Sequence, residues 1–341
     1  MAEIRPNGLR WRLSAQDEDT ARLFPGFSPE RHVGVGEYRG LEFIHVEAAR
    51  LLNRVPVSSR LPFGWTINAY RGCSHACSYC FARPTHAYLG LGVGEDFERK
   101  IVVKVNAVER VRAELASSRW RREPVAMGTN TDPYQLAEGR YHLTRGIVQA
   151  LGDAANDFSI LTKSTLVLRD LELLVWAASR CDVRLALSIG TLDRDVAQLT
   201  EPGAPPPQRR LAALARLRAA GLSCGVLVAP VIPGLSDADE EIAGVVSAAR
   251  AAGATSVHVI PLHLRPKVRE HYLDWLAAHR PDLLGLHRER FGRRSEQPHA
   301  LRQRLGALAA SGSDAPGSGH RQPPAPRQAP SPPRLEQLPL F

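Results

Sequence analysis

Only five of the 341 residues are cysteines, and the chain lacks the other marks of a secreted or membrane protein. An odd, small cysteine count argues against a disulfide framework. No apolar run approaches the roughly 20 residues that a membrane-spanning helix needs. The segment Met1–Pro6 has no basic-then-apolar pattern of a secretory signal. We therefore expect a cytoplasmic protein without a membrane partner.

Lysine is scarce as well. The chain has 44 basic residues, and all of them are arginines except Lys100, Lys104, Lys163 and Lys267. A GC-rich genome explains this bias by itself. The formal net charge of +9 nevertheless favours a nucleic-acid partner, because a basic field attracts polyanions.

Composition and patterning divide the chain into five stretches. Residues 316–341 contain eight prolines, and such a stretch cannot bury enough apolar surface to offset its chain entropy. Residues 1–60 show little pattern beyond one predicted helix near 47–53. We predict an N-terminal extension (1–60), a core (61–280), a basic helical segment (281–310), a disordered Pro/Arg-rich linker (311–334) and an apolar terminal peptide (335–341).

Short apolar runs alternate with amphipathic stretches in the core, which indicates parallel strands joined by right-handed crossovers. Six repeats rather than eight predict an α/β fold with a partial (β/α)6 TIM-type barrel. In such barrels the chemistry lies at the carboxyl ends of the strands. The predicted strands are 65–70, 124–127, 158–161, 184–189, 223–231 and 255–261, and the predicted helices are 104–120, 142–155, 166–180, 208–220, 238–252 and 268–279.

Three of the five cysteines, Cys73, Cys77 and Cys80, lie within eight residues directly after the first of these strands. Thiolates hold iron–sulfur clusters, and three ligands would leave one iron of a four-iron cluster open for a substrate or cofactor. Two alternatives remain. The spacing also fits one face of a helix, so the cysteines could be core residues. A zinc site with His75 or His86 as the fourth ligand is the other.

The Cys73-x3-Cys77-x2-Cys80 pattern, with Tyr79 before the last cysteine, resembles the signature of radical S-adenosylmethionine (SAM) enzymes. The resemblance implies a [4Fe–4S] cluster on these cysteines, SAM bound at the open iron, and a flavodoxin- or ferredoxin-like electron donor. Reduction then cleaves SAM to a 5′-deoxyadenosyl radical, which abstracts hydrogen from a substrate. The family also has a partial (β/α)6 barrel.

The resemblance extends over residues 62–266 to the branch of spore photoproduct lyase and related DNA-repair, photolyase-like proteins. The motifs that carry it are Gly128-Thr-Asn-Thr-Asp-Pro-Tyr134, Leu161-Thr-Lys163, Leu187-Ser-Ile189, Glu201-Pro202 with Arg210-Leu211, and Ala229-Pro-Val-Ile-Pro233. It implies a cofactor site at the strand ends. The implied cofactor-binding residues are Thr129, Asn130, Thr131, Asp132, Lys163, Ser188, Glu201 and Arg210.

One departure bears on the reaction. Spore photoproduct lyase uses a cysteine near the second strand end to return hydrogen, whereas Met127-Gly-Thr-Asn-Thr-Asp132 contains none. We expect a radical SAM enzyme that acts on or near nucleic acid, in a manner resembling DNA repair, on a substrate that the sequence does not identify. The alternatives are an enzyme that modifies RNA or a small metabolite, and a non-catalytic iron–sulfur scaffold.

The last five residues, Gln337-Leu-Pro-Leu-Phe341, resemble the short peptide by which bacterial repair and replication proteins bind the polymerase sliding clamp. The resemblance implies polar contacts from Gln337 and apolar contacts from Leu338, Leu340 and Phe341. Residues 311–334 would then act as a tether that raises the effective concentration of the barrel near DNA.

We expect the full chain to bind the sliding clamp with low micromolar affinity, since a few small apolar contacts oppose the cost of ordering the segment. Leu340→Ala together with Phe341→Ala should abolish the interaction in a pull-down and in calorimetry. The matched control is Leu335→Ala, which lies outside the motif. Equal binding by the double variant would refute the clamp peptide.

Overall fold

The computed structural model describes residues 11–13, 30–56, 59, 61–292 and 299–310. Its strands form a five-stranded and a seven-stranded sheet. The strands are β1 (Trp11–Leu13), β2 (Glu30–Val33), β3 (Glu42–Ala48), β4 (Asn53–Arg54), β5 (Trp65–Ile67), β6 (Tyr70–Arg71), β7 (Lys100–Lys104), β8 (Val125–Met127), β9 (Phe158–Thr162), β10 (Val183–Ser188), β11 (Ser223–Val231) and β12 (Val257–Pro261).

The α-helices of the described chain all follow β6, and several of them connect successive parallel strands of the larger sheet. They are α1 (Glu95–Arg99), α2 (Ala107–Leu115), α3 (Leu136–Tyr141), α4 (Leu143–Asp153), α5 (Leu171–Ala178), α6 (Arg194–Thr200), α7 (Pro207–Ala219), α8 (Asp239–Ala251), α9 (Pro266–His279), α10 (Leu284–Phe291) and α11 (His299–Ala310). None of the helices in this part of the chain is long and apolar enough to cross a bilayer.

The larger sheet confirms the predicted partial barrel. Its order is β12-β11-β10-β9-β8-β5-β4, and the strands from β5 to β12 are parallel to their neighbours, whereas β4 runs antiparallel to β5. All six predicted core strands are present, shortened by a few residues at some ends. Because these strands are parallel, their carboxyl ends all lie at the same end of the barrel.

Helix α7 illustrates how the sequence builds this layer. Its pattern predicts a buried face made of Leu211, Leu214, Leu217 and Ala220. Leu214 and Leu217 are fully buried in the barrel core, whereas Leu211 and Ala220 are only partly buried. The buried face also includes Arg210 and Ala213, so it is rotated slightly from the predicted one. That rotation carries the Arg210 guanidinium inward toward the strand ends.

The smaller sheet was not predicted, and the predicted helix near 47–53 is wrong. Strand β3 pairs with β1, β2 and β7, and β7 pairs with β6. Residues 47–48 end β3, and the chain then turns into β4. The N–H groups of Leu51 and Leu52 each donate to a Glu114 carboxylate oxygen at 2.8 Å, so α2 satisfies backbone donors that a helix would otherwise pair internally.

Strand β8 is followed by a glycine that the packing requires. Gly128 has a φ of +88°, and a Cβ placed there would meet the Leu161 carbonyl oxygen at 1.9 Å. Gly221, which follows α7, has a similar φ of +82°, but a Cβ there would meet nothing within 4 Å. A comparison of alanine substitutions at these two positions therefore distinguishes the cost of backbone strain from the cost of steric overlap.

We expect Gly221→Ala to lower the free energy of unfolding by about 1–2 kcal/mol, the cost of a left-handed conformation for alanine. Gly128→Ala should cost roughly 1–3 kcal/mol more, because overlap with the Leu161 backbone adds to the same strain. Urea unfolding of the two variants measures the difference. Equal losses would show that the contact at Gly128 relaxes freely.

Candidate metal centre

The three clustered cysteines lie on an irregular loop that leaves the smaller sheet at β6 and enters the barrel mouth. Cys73 and Cys77 are buried and Cys80 is partly buried, and all three thiols are free. The loop consists of turns, so the reading as one face of a helix is wrong. It begins where the Cys73 N–H donates to the Phe97 carbonyl at 2.9 Å.

The Arg83 side chain supports the backbone of the cysteine loop. Its side chain is fully buried, and its Nε and Nη2 atoms donate to the Cys77 carbonyl at 3.1 and 2.8 Å. Its Nη1 atom donates to the carbonyls of Val93 and Gly94. The guanidinium also pairs with Glu98 at 2.5 Å, so its charge is compensated. Sequence inspection missed this residue, because one arginine among forty carries no distinguishing signal.

A second support reaches the loop from the segment after β8. The Thr131 hydroxyl and the Gln135 amide both donate to the Gly72 carbonyl, at 2.6 and 2.9 Å. The Gln135 carbonyl oxygen accepts from the Ser74 N–H at 3.1 Å. Thr131, predicted to bind the cofactor, is therefore buried against the backbone of the cysteine loop, where it positions that loop.

The cysteine loop does not present a compact set of zinc ligands. A tetrahedral zinc ion with Zn–S bonds of about 2.3 Å brings its sulfurs within about 3.8 Å of one another. Among the described residues, the three cysteines do not form a group with all ligand atoms within 4.8 Å. His86 Nε2 instead contacts the Lys100 carbonyl at 2.9 Å, and His75 faces Asp132. The donor set is thus three soft thiols, suited to an iron–sulfur cluster.

Four of the predicted cofactor residues come together beside the loop. The Lys163 ammonium, directly after β9, donates to the Ser188 hydroxyl at 2.7 Å and to Glu201 Oε1 at 2.9 Å. Arg210 pairs with Glu201 Oε2 at 2.5 Å and donates to the Ser188 carbonyl at 2.9 Å. Tyr79 of the cysteine loop donates its hydroxyl proton to Glu201 Oε1.

The neighbouring charges determine the ionisation state of Glu201. Burial by itself would raise the pKa of Glu201, but the charges of Lys163 and Arg210 outweigh it and lower that pKa to about 2. Burial and the Glu201 carboxylate raise the pKa of the Cys77 thiol to about 12, against the opposing charge of Lys163. Glu201 is therefore a permanent anion between two cations, next to a thiol that ionises when it binds metal.

The remaining predicted residues follow β8. Asp132 accepts from the Lys163 N–H at 2.7 Å and from the Thr162 hydroxyl at 2.6 Å, and it faces His75 Nδ1 at 3.4 Å. Burial would raise the pKa of Asp132, but His75 and these hydrogen bonds lower it. Its contacts position Lys163. Thr129 and Asn130 are half-buried between Gly128 and this aspartate, at the carboxyl end of the strand.

The other two cysteines lie away from the carboxyl ends of the strands. Cys181 precedes β10 and contacts the Ala177 carbonyl at 3.4 Å, and Cys224 is fully buried near the start of β11. Both lie toward the amino ends of parallel strands, whereas the cysteine loop lies at the carboxyl ends. Among the described residues, therefore, no cysteine outside the loop lies at the carboxyl ends of these strands.

Comparison with known sequences agrees with this geometry. The family profile described as "Radical SAM superfamily" matches residues 67–246. An uncharacterized protein of Mycobacterium tuberculosis is 47% identical over 275 residues, which are 81% of each chain. An uncharacterized protein of Methanocaldococcus jannaschii is 29% identical over 199 residues, covering 58% of this chain and 71% of the relative.

Solved structures show the same fold. A tyrosine-to-phenylalanine mutant of spore photoproduct lyase has a TM-score of 0.53 at 16% identity, with 74% of each chain covered. A double mutant of that lyase with bound AdoMet and dinucleoside spore photoproduct has a TM-score of 0.51 at 18% identity, covering 65% of this chain. In that second match the chain spans 63% of the lyase, less than two thirds of its length.

We expect anaerobically prepared protein to contain about four irons per chain, as one cubane cluster requires. Cys73→Ala, Cys77→Ala and Cys80→Ala should each remove most of this iron, because two thiolates remain. Iron and sulfide analysis measures the loss. Cys181→Ala and Cys224→Ala are the matched controls, and loss of iron in either one would contradict the ligand assignment.

Proposed function

The chain belongs to the radical SAM superfamily, and from this premise we propose that Cys73, Cys77 and Cys80 hold a [4Fe–4S] cluster that binds SAM. The observation that carries the proposal is the contact of the cysteine loop, through Tyr79, with the Lys163–Glu201–Arg210 group at the strand ends. When bound and reduced, the cluster and SAM supply a 5′-deoxyadenosyl radical that abstracts hydrogen from a substrate.

Lys163 and Ser188 are the residues we assign to SAM itself. The Lys163 ammonium is held by Ser188 and Glu201 at a partly open edge, which suits it to bind a carboxylate as a charge-assisted partner. Glu201, which is itself buried against Arg210, orients the ammonium from behind. Thr129 and Asn130, at the adjacent strand end, would contact the same cofactor.

We further propose that the substrate is a nucleic acid. The net charge of +9 favours a polyanion. Phe81 and Tyr88, which follow the cysteines, are 53% and 77% exposed, an unusual exposure for aromatic rings beside a buried loop. Exposed aromatic side chains in a basic protein offer stacking platforms for bases.

The reaction class can be tested without knowing the substrate. Reduced, anaerobic protein should convert SAM to 5′-deoxyadenosine and methionine, measured by chromatography. DNA, RNA and metabolite fractions from deuterium-grown cells are then supplied separately. Deuterium in 5′-deoxyadenosine from a nucleic-acid fraction supports the substrate class, and deuterium from the metabolite fraction alone would overturn it. No SAM cleavage by protein that carries a full cluster would overturn the enzyme itself.

Lys163→Ala should weaken SAM binding about tenfold or more with the cluster retained, because a charge-assisted hydrogen bond contributes roughly 1.5–3 kcal/mol. Equilibrium dialysis with labelled SAM measures the affinity, and iron content reports the cluster. Lys267→Ala, an exposed lysine of α9, is the matched control. An unchanged affinity in Lys163→Ala would remove this residue from the cofactor site.

A further inference from the structure

A second group of metal-ligating side chains lies on the smaller sheet, outside the barrel. Glu30, His32 and His45 place one ligand atom each within 4.8 Å of the others. Within the described part of the chain, no other three histidine, cysteine or acidic residues do so. None of these residues contributes to the cysteine loop or to the Lys163 group.

The strand register produces this group. Strands β2 and β3 are antiparallel, and Glu30 lies directly opposite His45. His32 is two residues beyond Glu30, so the alternation of a strand puts both side chains on the same face. Two positions on one strand and one on its neighbour thus converge on a single point. Local sequence alone does not reveal it, because the pairing joins segments separated by a turn.

The distances have the scale of a coordination shell. His32 Nε2 is 2.8 Å from Glu30 Oε1, and His45 Nδ1 is 3.6 Å from Glu30 Oε2. The ligand atoms around a tetrahedral zinc ion, with bonds of about 2.0–2.1 Å, lie about 3.3 Å apart. His32 Nε2 is also buried without a hydrogen-bond partner, although the carboxylate is so close. The two groups therefore approach one another without the geometry of a hydrogen bond.

The far side of His45 is anchored by a tyrosine hydroxyl, at the ring nitrogen where metal-ligating histidines make a second hydrogen bond. Its Nε2 atom contacts the Tyr141 hydroxyl at 2.7 Å, while Nδ1 faces the other two side chains. With the Nε2 proton donated to the tyrosine oxygen, Nδ1 carries a free lone pair. In that tautomer His45 presents Nδ1 as a ligand atom toward the other two side chains.

We propose that Glu30, His32 and His45 bind a zinc ion. Imidazole and carboxylate groups are ligands that suit zinc. A set of three protein ligands would leave a fourth coordination position for water. Glu30 is half-exposed, so solvent reaches this group of side chains. The ion would fasten the edge strand β2 to β3 across the hairpin. This site is independent of the proposed radical chemistry.

The test uses the full-length protein with its iron–sulfur cluster in place. Zinc affinity is measured by competition with a chromophoric chelator, and cobalt serves as a visible probe of the coordination geometry. We expect one zinc per chain, with iron content unchanged. Added zinc should also raise the melting temperature of the wild-type protein, a readout that needs no variant.

Variants then locate the ion. Glu30→Gln, His32→Gln and His45→Gln should each weaken zinc binding by at least about 100-fold, and Tyr141→Phe by roughly 10-fold, as loss of an outer partner does elsewhere. Glu42→Gln is the matched control, because this carboxylate lies in the same hairpin but pairs with Arg31 at 2.7 Å. It should bind zinc as the wild type does.

Zinc bound at the cysteine loop would give a different pattern. The triple variant Cys73→Ala, Cys77→Ala, Cys80→Ala should lose iron and keep its zinc, with the zinc-dependent rise in melting temperature intact. Loss of zinc in that variant would overturn the proposal. It would equally fail if wild-type protein bound no zinc below about 100 μM, a weak affinity by protein standards, or if all three ligand variants bound zinc normally.

Discussion

The buried Glu201 carboxylate is the charge around which the barrel mouth is arranged. It accepts hydrogen bonds from Tyr79 of the cysteine loop and Lys163 after β9, and it pairs with Arg210 of α7. A buried carboxylate is costly without partners, and the loss of one partner leaves a charge uncompensated. Three segments far apart in sequence are thereby fixed to one another at the point where chemistry occurs in this fold.

The cysteine loop itself has no regular structure, so its backbone groups need partners from elsewhere. On one side, Arg83 donates hydrogen bonds to the Cys77 carbonyl. On the other side, Thr131 and Gln135 donate to the Gly72 carbonyl. Such outer supports decide whether ligands stand within about 0.5 Å of the geometry that a metal group requires. The two supports come from different elements, so the loop is held independently of the cluster it would bind.

The comparison of sequence with structure separates local from non-local information. The core strands and helices were predictable because the apolar periodicity of each one lies within its own segment. Lys163 and Ser188 were singled out by the resemblance to radical SAM enzymes together with their places at strand ends. Arg83 and Gln135 were not, since their partners are defined by folding. The prediction of a helix near 47–53 failed for a related reason. Glu114 of α2 accepts hydrogen bonds from the N–H groups of Leu51 and Leu52, in a segment whose composition favours a helix.

Ligand chemistry distinguishes the two groups of side chains that we propose to bind metal. The cysteine loop offers three thiols, which favour iron–sulfur clusters, whereas the hairpin of β2 and β3 offers imidazole and carboxylate, which favour zinc. Both belong to the same sheet, because β3 pairs with β7, β7 pairs with β6, and Cys73 follows β6 by two residues. A zinc ion on the hairpin would therefore stabilise the sheet from which the cysteine loop departs, without competing for its thiolates.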